Sequence, residues 1–508
     1  MTFVFCSCHK EEERVSVSLA DFSALKTLEY DAPAEKIFAN IRELMQSDKT
    51  RSTADIHVRR HYSDGMDMLW ITRCGVSANA DTLLSYLQRV DSFGFSREKF
   101  YYTQLKDDLQ RARALDFDSV KNSTNSAVKV YARLEYYLTK AFLRYTEGQR
   151  FGYMNPFKAF NRLDQRSEDT LHVSYRSLYG CHTNLPNAEY LTTAFRVIKQ
   201  DEGTFADFLA KSQPQNPLYY KFLAEYNRST DKAYRRRLLC NMERCRWENN
   251  GDYPLKHKKY VVVNIPSLHL FAHDGDQLLV MKVGVGSLDT KTPLLSSHVK
   301  RMDFNPQWVI PKSIIKASVV HHAGSRAYFD SHNYFVRERS TGKIVEPESV
   351  TREMLLSANY SVVQWGGRGN ALGRVIFRFD NDYSIYLHDT SSRGVFAQTS
   401  RTVSHGCIRV EKPYELAVFM LNDKDEQLME KIQYSMTADY AERPNTDAVS
   451  EDKPDRKKMV RSLKVEPQVP IYITYYTLYP DSNGNIVSYD DLYGYDPVIY
   501  ENIKTYFR

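Results

Sequence analysis

Between Tyr386 and Val410 the chain reads YLHDTSSRGVFAQTSRTVSHGCIRV. His388 is followed after fifteen residues by Ser404-His405-Gly406-Cys407, and Arg409 comes two residues later. A thiol is a nucleophile only as thiolate, so a catalytic cysteine needs a neighbouring base or cation to draw its pKa down from about 8.5. Two histidines close in sequence to Cys407 are candidates for that base. A strand carrying His388, a connecting loop and a second strand carrying Cys407 can place imidazole beside sulfur on one face of a sheet. Gly406 lets the backbone turn tightly at the nucleophile, so nearby amide N–H groups can point at a developing oxyanion. Two other readings stay open from spacing alone. One is a His/Cys metal site, with His321-His322 as further ligands; the other is an inert buried cysteine.

The surrounding elements favour a sheet. From about Tyr260 the pattern is β-rich: Tyr260–Ile265 is a buried strand, and Leu268–Phe271 and Leu278–Val283 flank an Asp274-Gly275 turn. Val375–Phe379 and Ser384–Leu387 flank Asp380-Asn381-Asp382, and Ile471–Thr477 precedes an Asn483-Gly484 turn. Residues 316–360 carry mixed signals and read as an insertion, and Ser450–Met459 as a charged excursion. The first half is helical. Leu134, Leu138, Ala141, Phe142 and Tyr145 share one helix face, with Gly148 as the expected stop, and further helices are expected at Tyr190–Val197 and Tyr219–Tyr226.

A chain of 508 residues suggests about three domains. Lys and Arg total 69 against 63 Asp and Glu, a net charge of +6, and 42% of residues are hydrophobic. No stretch reaches the roughly 18 apolar residues of a spanning helix. Disorder, collagen and a polytopic membrane protein are excluded. The run Arg235-Arg236-Arg237 reads as a solvated helix face with no nucleic-acid motif beside it, so no nucleic-acid partner is expected, and no cofactor either. The seven cysteines are Cys6, Cys8, Cys74, Cys181, Cys240, Cys245 and Cys407. Their number is odd and they form no CxxC pair, which argues against a disulfide framework or a structural zinc site. The opening MTFVFCSCHKEEER is a short apolar run ending in Ser7-Cys8. It resembles the end of a bacterial lipoprotein signal with Cys8 acylated, and the alternative is a frayed cytoplasmic terminus.

The pattern His388-x15-Ser404-His405-Gly406-Cys407 resembles the signature of the YkuD-type L,D-transpeptidase catalytic domain. Asn241–Trp247, Val261–Leu270, Phe304–Ile314, Asn370–Phe377 and Asp491–Asp496 resemble blocks of the large YcbB-like branch in the same order. Trp70, Phe93–Tyr102 and Asn216–Tyr226 resemble its amino-terminal scaffold. The branch's peptidoglycan-binding module has no counterpart in the short interval between Tyr226 and Asn241. Gln364-Trp365-Gly366-Gly367 departs from the family, which commonly has proline beside glycine there.

The resemblance implies an α+β multidomain chain. Residues 1–20 would be a signal remnant and lipoprotein tether, 21–240 an α-helical scaffold domain, and 241–508 a mainly β, YkuD-like β-sandwich catalytic domain with a lid inserted at 316–360. It implies that Cys407 attacks the carbonyl between diaminopimelate and terminal D-alanine of a peptidoglycan stem tetrapeptide. A second stem's diaminopimelate amine then resolves the thioester into a 3-3 crosslink. His388 becomes the general base, His405 a supporting catalytic histidine, Gly406 and Cys407 the oxyanion donors, and Arg409 a substrate-binding residue or a brace for the loop. A carbapenem would acylate Cys407. Lipidation at Cys8 would place the protein in the periplasm, held to a membrane by the lipid anchor only. An L,D-carboxypeptidase, a wall-link hydrolase and a non-catalytic wall-binding protein remain alternatives, because sequence does not name the acyl acceptor.

Overall fold

The computed structural model describes residues 34–63, 67–72, 75–119, 123–166, 173–181, 183–247, 253–438 and 454–507. Cys8 and the 1–20 tether lie outside the described residues. The chain divides into two compact units, Met1–Ala159 with Thr183–Gly251 and Tyr495–Arg508, and Phe160–His182 with Asp252–Gly494.

The first unit is helical. Helix α1 (Ala34–Ser47) lays Ala34, Ile37 and Ile41 against the 25-residue α3 (Ala127–Phe151), and α2 (Thr53–Ser63) packs on it too. α3 is buried nearly all round, so its charged residues must find partners inside. The Glu135 carboxylate accepts the backbone N–H groups of Leu69, Trp70 and Ile71 at 2.5, 3.0 and 3.2 Å. Arg144 pairs with Asp55 at 2.7 Å, and Lys140 with Asp48. The expected stop at Gly148 is corrected: the helix continues to Phe151 and ends at Gly152, whose φ is +93°. Gly148 is instead where the Tyr153 ring rests on the helix, since a Cβ there would lie 2.2 Å from it.

The expected boundary at residue 240 also moves. Helices α4 (Pro217–Arg228) and α5 (Lys232–Arg246) are separated by three residues, and α5 runs unbroken through 240, so Asn241–Trp247 closes the helical unit. The chain's last helix, α6 (Tyr495–Ile503), returns to the same unit, where Arg244 meets Asp496 at 2.6 Å. The arginine run is not simply a solvated face: Arg235 lies over Tyr226 at 4.1 Å and Arg236 over Tyr500 at 3.7 Å. Cys240 and Cys245 are buried on α5, and the Cys240 thiol donates to the Asp496 carbonyl at 3.4 Å.

The second unit is built on strands β1 (Lys259–Asn264), β2 (His269–Asp274), β3 (Gln277–Gly286), β4 (Leu294–Phe304), β5 (Trp308–Val309), β6 (Tyr334–Glu338), β7 (Ile344–Val345), β8 (Tyr360–Gln364), β9 (Val375–Phe379), β10 (Leu387–His388), β11 (Thr402–Ser404), β12 (Ile408–Val410) and β13 (Ser462–Thr474). The Asp274-Gly275 hairpin forms as predicted, with Gly275 at φ +59°. The order β9-β10-β12-β3-β2-β1-β13-β4 closes, because β4 pairs with both β13 and β9. The expected sandwich is thus one sheet folded back on itself, with register shifts at Arg378/Phe379 and Lys464/Val469 on the closing strands.

The insertion has its own four-stranded sheet, β7-β6-β8-β5, and its own core of Ile310, Ile315, Val319, Phe329, Val336, Val350, Leu355 and Val362. It therefore starts earlier than 316 and ends later than 360, because the strands that close its sheet are β5 and β8.

Candidate active site

Strands β10 and β12 run parallel, with Leu387 opposite Ile408 and His388 opposite Arg409. One step back, the Ile408 N–H donates to the Tyr386 carbonyl at 3.1 Å, which sets Tyr386 beside Cys407. Side chains alternate along a strand, so Tyr386 and His388 share one face, and on that face their neighbours are Cys407 and Arg409. His388 thus lies on β10 opposite Arg409, while Cys407 sits in the turn just before β12, opposite Tyr386.

His388 is buried, and its Nδ1–H donates to the Asp389 carbonyl at 2.5 Å. Burial depresses its pKa to about 4, and the neighbouring Arg409 charge adds to this against hydrogen bonds to the Asp389 and Leu372 carbonyls. The imidazole is therefore neutral at pH 7. Cys407 is half-buried at the surface of the turn. Desolvation pushes its thiol up, opposed by hydrogen bonds from the backbone N–H and hydroxyl of Tyr386 and by the Arg409 charge. A neutral imidazole is the form that can accept a thiol proton, as general-base catalysis requires. Tyr386 went unremarked in the sequence; the alternation that puts it two residues before His388 on the same face was the available signal.

The turn holding Cys407 is tied from both sides. Gly406 has φ +116°, and its N–H donates to Ser404 Oγ at 3.1 Å, while the Ser404 hydroxyl donates to the Cys407 carbonyl at 2.6 Å. The Gly406 amide is thus engaged within the turn, which corrects its assignment as an oxyanion donor and leaves the Cys407 N–H. Behind the turn, Thr290 Oγ1 donates to the Ser404 carbonyl and Thr292 Oγ1 to the Gly406 carbonyl, both at 2.8 Å. Tyr493 donates to the Gly286 carbonyl at 2.7 Å. These braces are missed by sequence because they come from residues more than a hundred positions away.

Gly286 is the tightest point. A Cβ there would lie 2.1 Å from the Thr290 carbonyl oxygen. Gly286→Ala is expected to cost about 1–3 kcal/mol, as overpacking against backbone does. It should also slow alkylation of Cys407, read by urea midpoint and by iodoacetamide rate; unchanged values of both would show that the brace yields freely.

The remaining predicted residues are placed as follows. His405 is solvent-exposed between Ser404 and Gly406, unlike buried His388. Arg409 is half-buried, and its Nε has no hydrogen-bond partner among the described residues. Burial depresses the Arg409 guanidinium. Trp365 stacks on Phe335 at 3.8 Å, and Asn370 Nδ2 donates to the Trp365 and Pro306 carbonyls at 2.8 and 3.0 Å, so both brace the loop. His322 and Tyr328 of the insertion stack on each other at 3.9 Å. Burial raises the Tyr386 hydroxyl and the neighbouring Cys407 adds to this, against the Arg378 charge and the Trp308 side chain of β5. A cavity of about 370 Å³ lies among Gly367–Asn370, Asp389–Ser391 and Gln433–Thr437, and Cys407 is not part of its lining.

Comparison with known proteins gives two domain matches and one curated relative. Residues 258–433 match the L,D-transpeptidase catalytic domain model YkuD, and residues 57–225 match the Scaffold domain model. The β-rich unit is thus similar to the YkuD L,D-transpeptidase catalytic domain over residues 258–433. A Haemophilus influenzae protein named "Putative L,D-transpeptidase" is 32% identical over 239 residues, 46% of this chain. The match spans 44% of that relative's length. The YkuD match stops at 433, yet the sheet is closed by β13 at Ser462–Thr474, so the folded unit extends beyond it.

Proposed function

We propose that this protein is a peptidoglycan L,D-transpeptidase that forms 3-3 crosslinks through a thioester on Cys407. The observation that supports the reading is the placing of Tyr386, His388, Cys407 and Arg409 on and just before the parallel strands β10 and β12, within the residues that match the YkuD model. Cys407 sulfur attacks the carbonyl between diaminopimelate and D-alanine as its proton passes to His388. The C–N bond breaks, His388 returns the proton to the departing D-alanine amine, and a thioester remains. The second stem's amine then attacks the thioester, the C–S bond breaks, and the thiol regains its proton. The Cys407 N–H is the turn's donor to the oxyanion in both halves.

Arg409 supplies the recognition. A half-buried guanidinium with an unpartnered Nε beside the nucleophile suits a substrate carboxylate. Arg409→Gln is expected to lower kcat/KM by about 10- to 100-fold, the range of a charge-assisted hydrogen bond. With a donor whose diaminopimelate carboxylate is amidated, wild type and variant should become equal; a loss that persists would make Arg409 a structural brace.

The lid excludes water from the thioester. Incubation with a disaccharide tetrapeptide tests the whole scheme by product mass. A 3-3 dimer with released D-alanine supports transfer to an amine, and tripeptide alone shows that water is the acceptor. Lipidation at Cys8 in a periplasmic setting belongs to the same proposal; an unmodified Met1 on the native protein would refute it.

A further inference from the structure

The nucleophile stands at one end of a row of cations that the acyl-transfer scheme leaves unused. Continuing the register of β9 and β10 by one step sets Arg378 opposite Tyr386, and the Arg378 guanidinium lies 5.8 Å from that ring. Arg378 is paired in turn with Arg301 of β4, and Arg301 with Lys464 of β13. Residues in register point to the same side of a sheet, so Tyr386, Arg378, Arg301 and Lys464 follow one another across neighbouring strands on the face of Cys407. Met302 and Phe377 alternate with them and are buried on the other face, whereas Arg301 and Lys464 are exposed and Arg378 is half-buried. Among the described residues one carboxylate serves the row. Asp303 meets Arg301 Nε at 3.0 Å and Arg378 Nε as well, and it accepts the Ser462 hydroxyl at 2.8 Å. A surplus of positive charge remains.

We infer that Arg378, Arg301 and Lys464 form a substrate track that binds the carboxylates of an acidic stem peptide while its scissile bond lies at Cys407. The inference rests on the proposed function and names the part of the donor that the sheet face reads. Like charges directly opposite one another destabilise a sheet, and this row sets three in line. An anionic peptide laid across the strands removes that repulsion and gains charge-assisted hydrogen bonds from two guanidinium groups. The lengths agree. Strands lie about 4.8 Å apart, so the row runs from about 10 to about 19 Å from Cys407. Extended chain covers about 3.5 Å per residue, so the three stem residues upstream of the scissile bond span about 10 Å. The glutamate carboxylate that precedes diaminopimelate then comes within reach of the long side chains of Arg378 and Arg301, with Lys464 beyond it. Asp303 holds the two arginines side by side, which lowers the side-chain ordering that binding would otherwise cost.

The test uses the full-length chain carrying Cys407→Ala, so that peptide binds without reacting. Calorimetry gives the dissociation constants of the stem tetrapeptide with a free glutamate α-carboxylate and of the same peptide amidated there. The free acid is expected to bind about tenfold more tightly, the worth of one charge-assisted hydrogen bond, and the preference should shrink as salt is raised. Adding Arg301→Gln with Lys464→Gln should erase the preference, whereas Arg301→Lys with Lys464→Arg should keep most of it. Urea midpoints should stay near the parent's, because both side chains are exposed. No binding, equal binding of the two peptides, a preference that survives the glutamine pair, or one lost equally in the charge-preserving pair overturns the inference. The proposed function fails separately. If the chain with Cys407 intact releases no D-alanine from a peptide bound with the expected preference, crosslinking is refuted and the track stands; D-alanine release without any preference refutes the track alone.

Discussion

Cys407→Ala is expected to abolish release of D-alanine and formation of dimer, with a loss on the order of 10³-fold or more, as removal of a covalent nucleophile produces elsewhere. The size follows from the site's electrostatics. The thiol is desolvated beside Tyr386, with His388 buried on neighbouring strand β10, and neither side chain can replace sulfur as an acyl carrier. Serine would fare no better, because burial that already raises a thiol would hold a hydroxyl neutral. Folding should survive. Cys407 is half-buried, and the turn is held by Ser404, Thr290 and Thr292 rather than by sulfur. Urea midpoints within error of wild type, together with product masses showing only unreacted tetrapeptide, are the expected pair of results. A carbapenem adduct of unit stoichiometry on wild type and none on the variant would locate the nucleophile independently. Residual turnover above about 1% would remove Cys407 from the mechanism.

What the sequence made legible was the part written locally. His388 lies on β10 and Cys407 in the turn leading into its partner β12, and the Asp274-Gly275 turn and the strand at Val375–Phe379 fall where alternation and turn chemistry placed them. The family signature rests on those same short-range features. What stayed hidden was set by packing between distant segments. Gly148 looked like a helix stop because glycine ends helices, but Tyr153 needed room on that helix face, and the stop moved to Gly152. Gly406 looked like an oxyanion donor until Ser404 Oγ was seen to take its amide. The lid's edges were misread for a related reason: β5 and β8 are short and pair across more than fifty residues, so neither announces itself as part of the insertion. Trp308 was consequently left outside the lid, although it pairs with Gln364 on the edge strand of the lid's sheet.

Acidification should destabilise the catalytic unit through His388, and the direction follows from its burial. Its pKa falls from 6.5 in the unfolded chain to about 4 in the fold, chiefly because imidazolium would be desolvated there. Above pH 6.5 both states are neutral at this position and it has no effect. Between 6.5 and about 4 the unfolded chain takes up the proton and the native state does not, so stability is lost progressively as pH falls through that window. The full loss is about 3 kcal/mol. Asp389 works in the opposite sense, since burial raises its carboxyl and it gains relative stability on acidification. Asp55 of the helical unit, depressed by Arg144 and Lys140 against the desolvation of its carboxylate, loses its contribution only below its ordinary 3.8. The His388 component is isolated by comparing wild type with His388→Asn, whose amide can still donate to the Asp389 carbonyl. Urea midpoints at pH 7 and 4.5 should separate widely in wild type and draw together in the variant. An equal pH response in both proteins would mean that His388 is charged or hydrated in the native state, and then it could not be the neutral base that the acyl transfer requires.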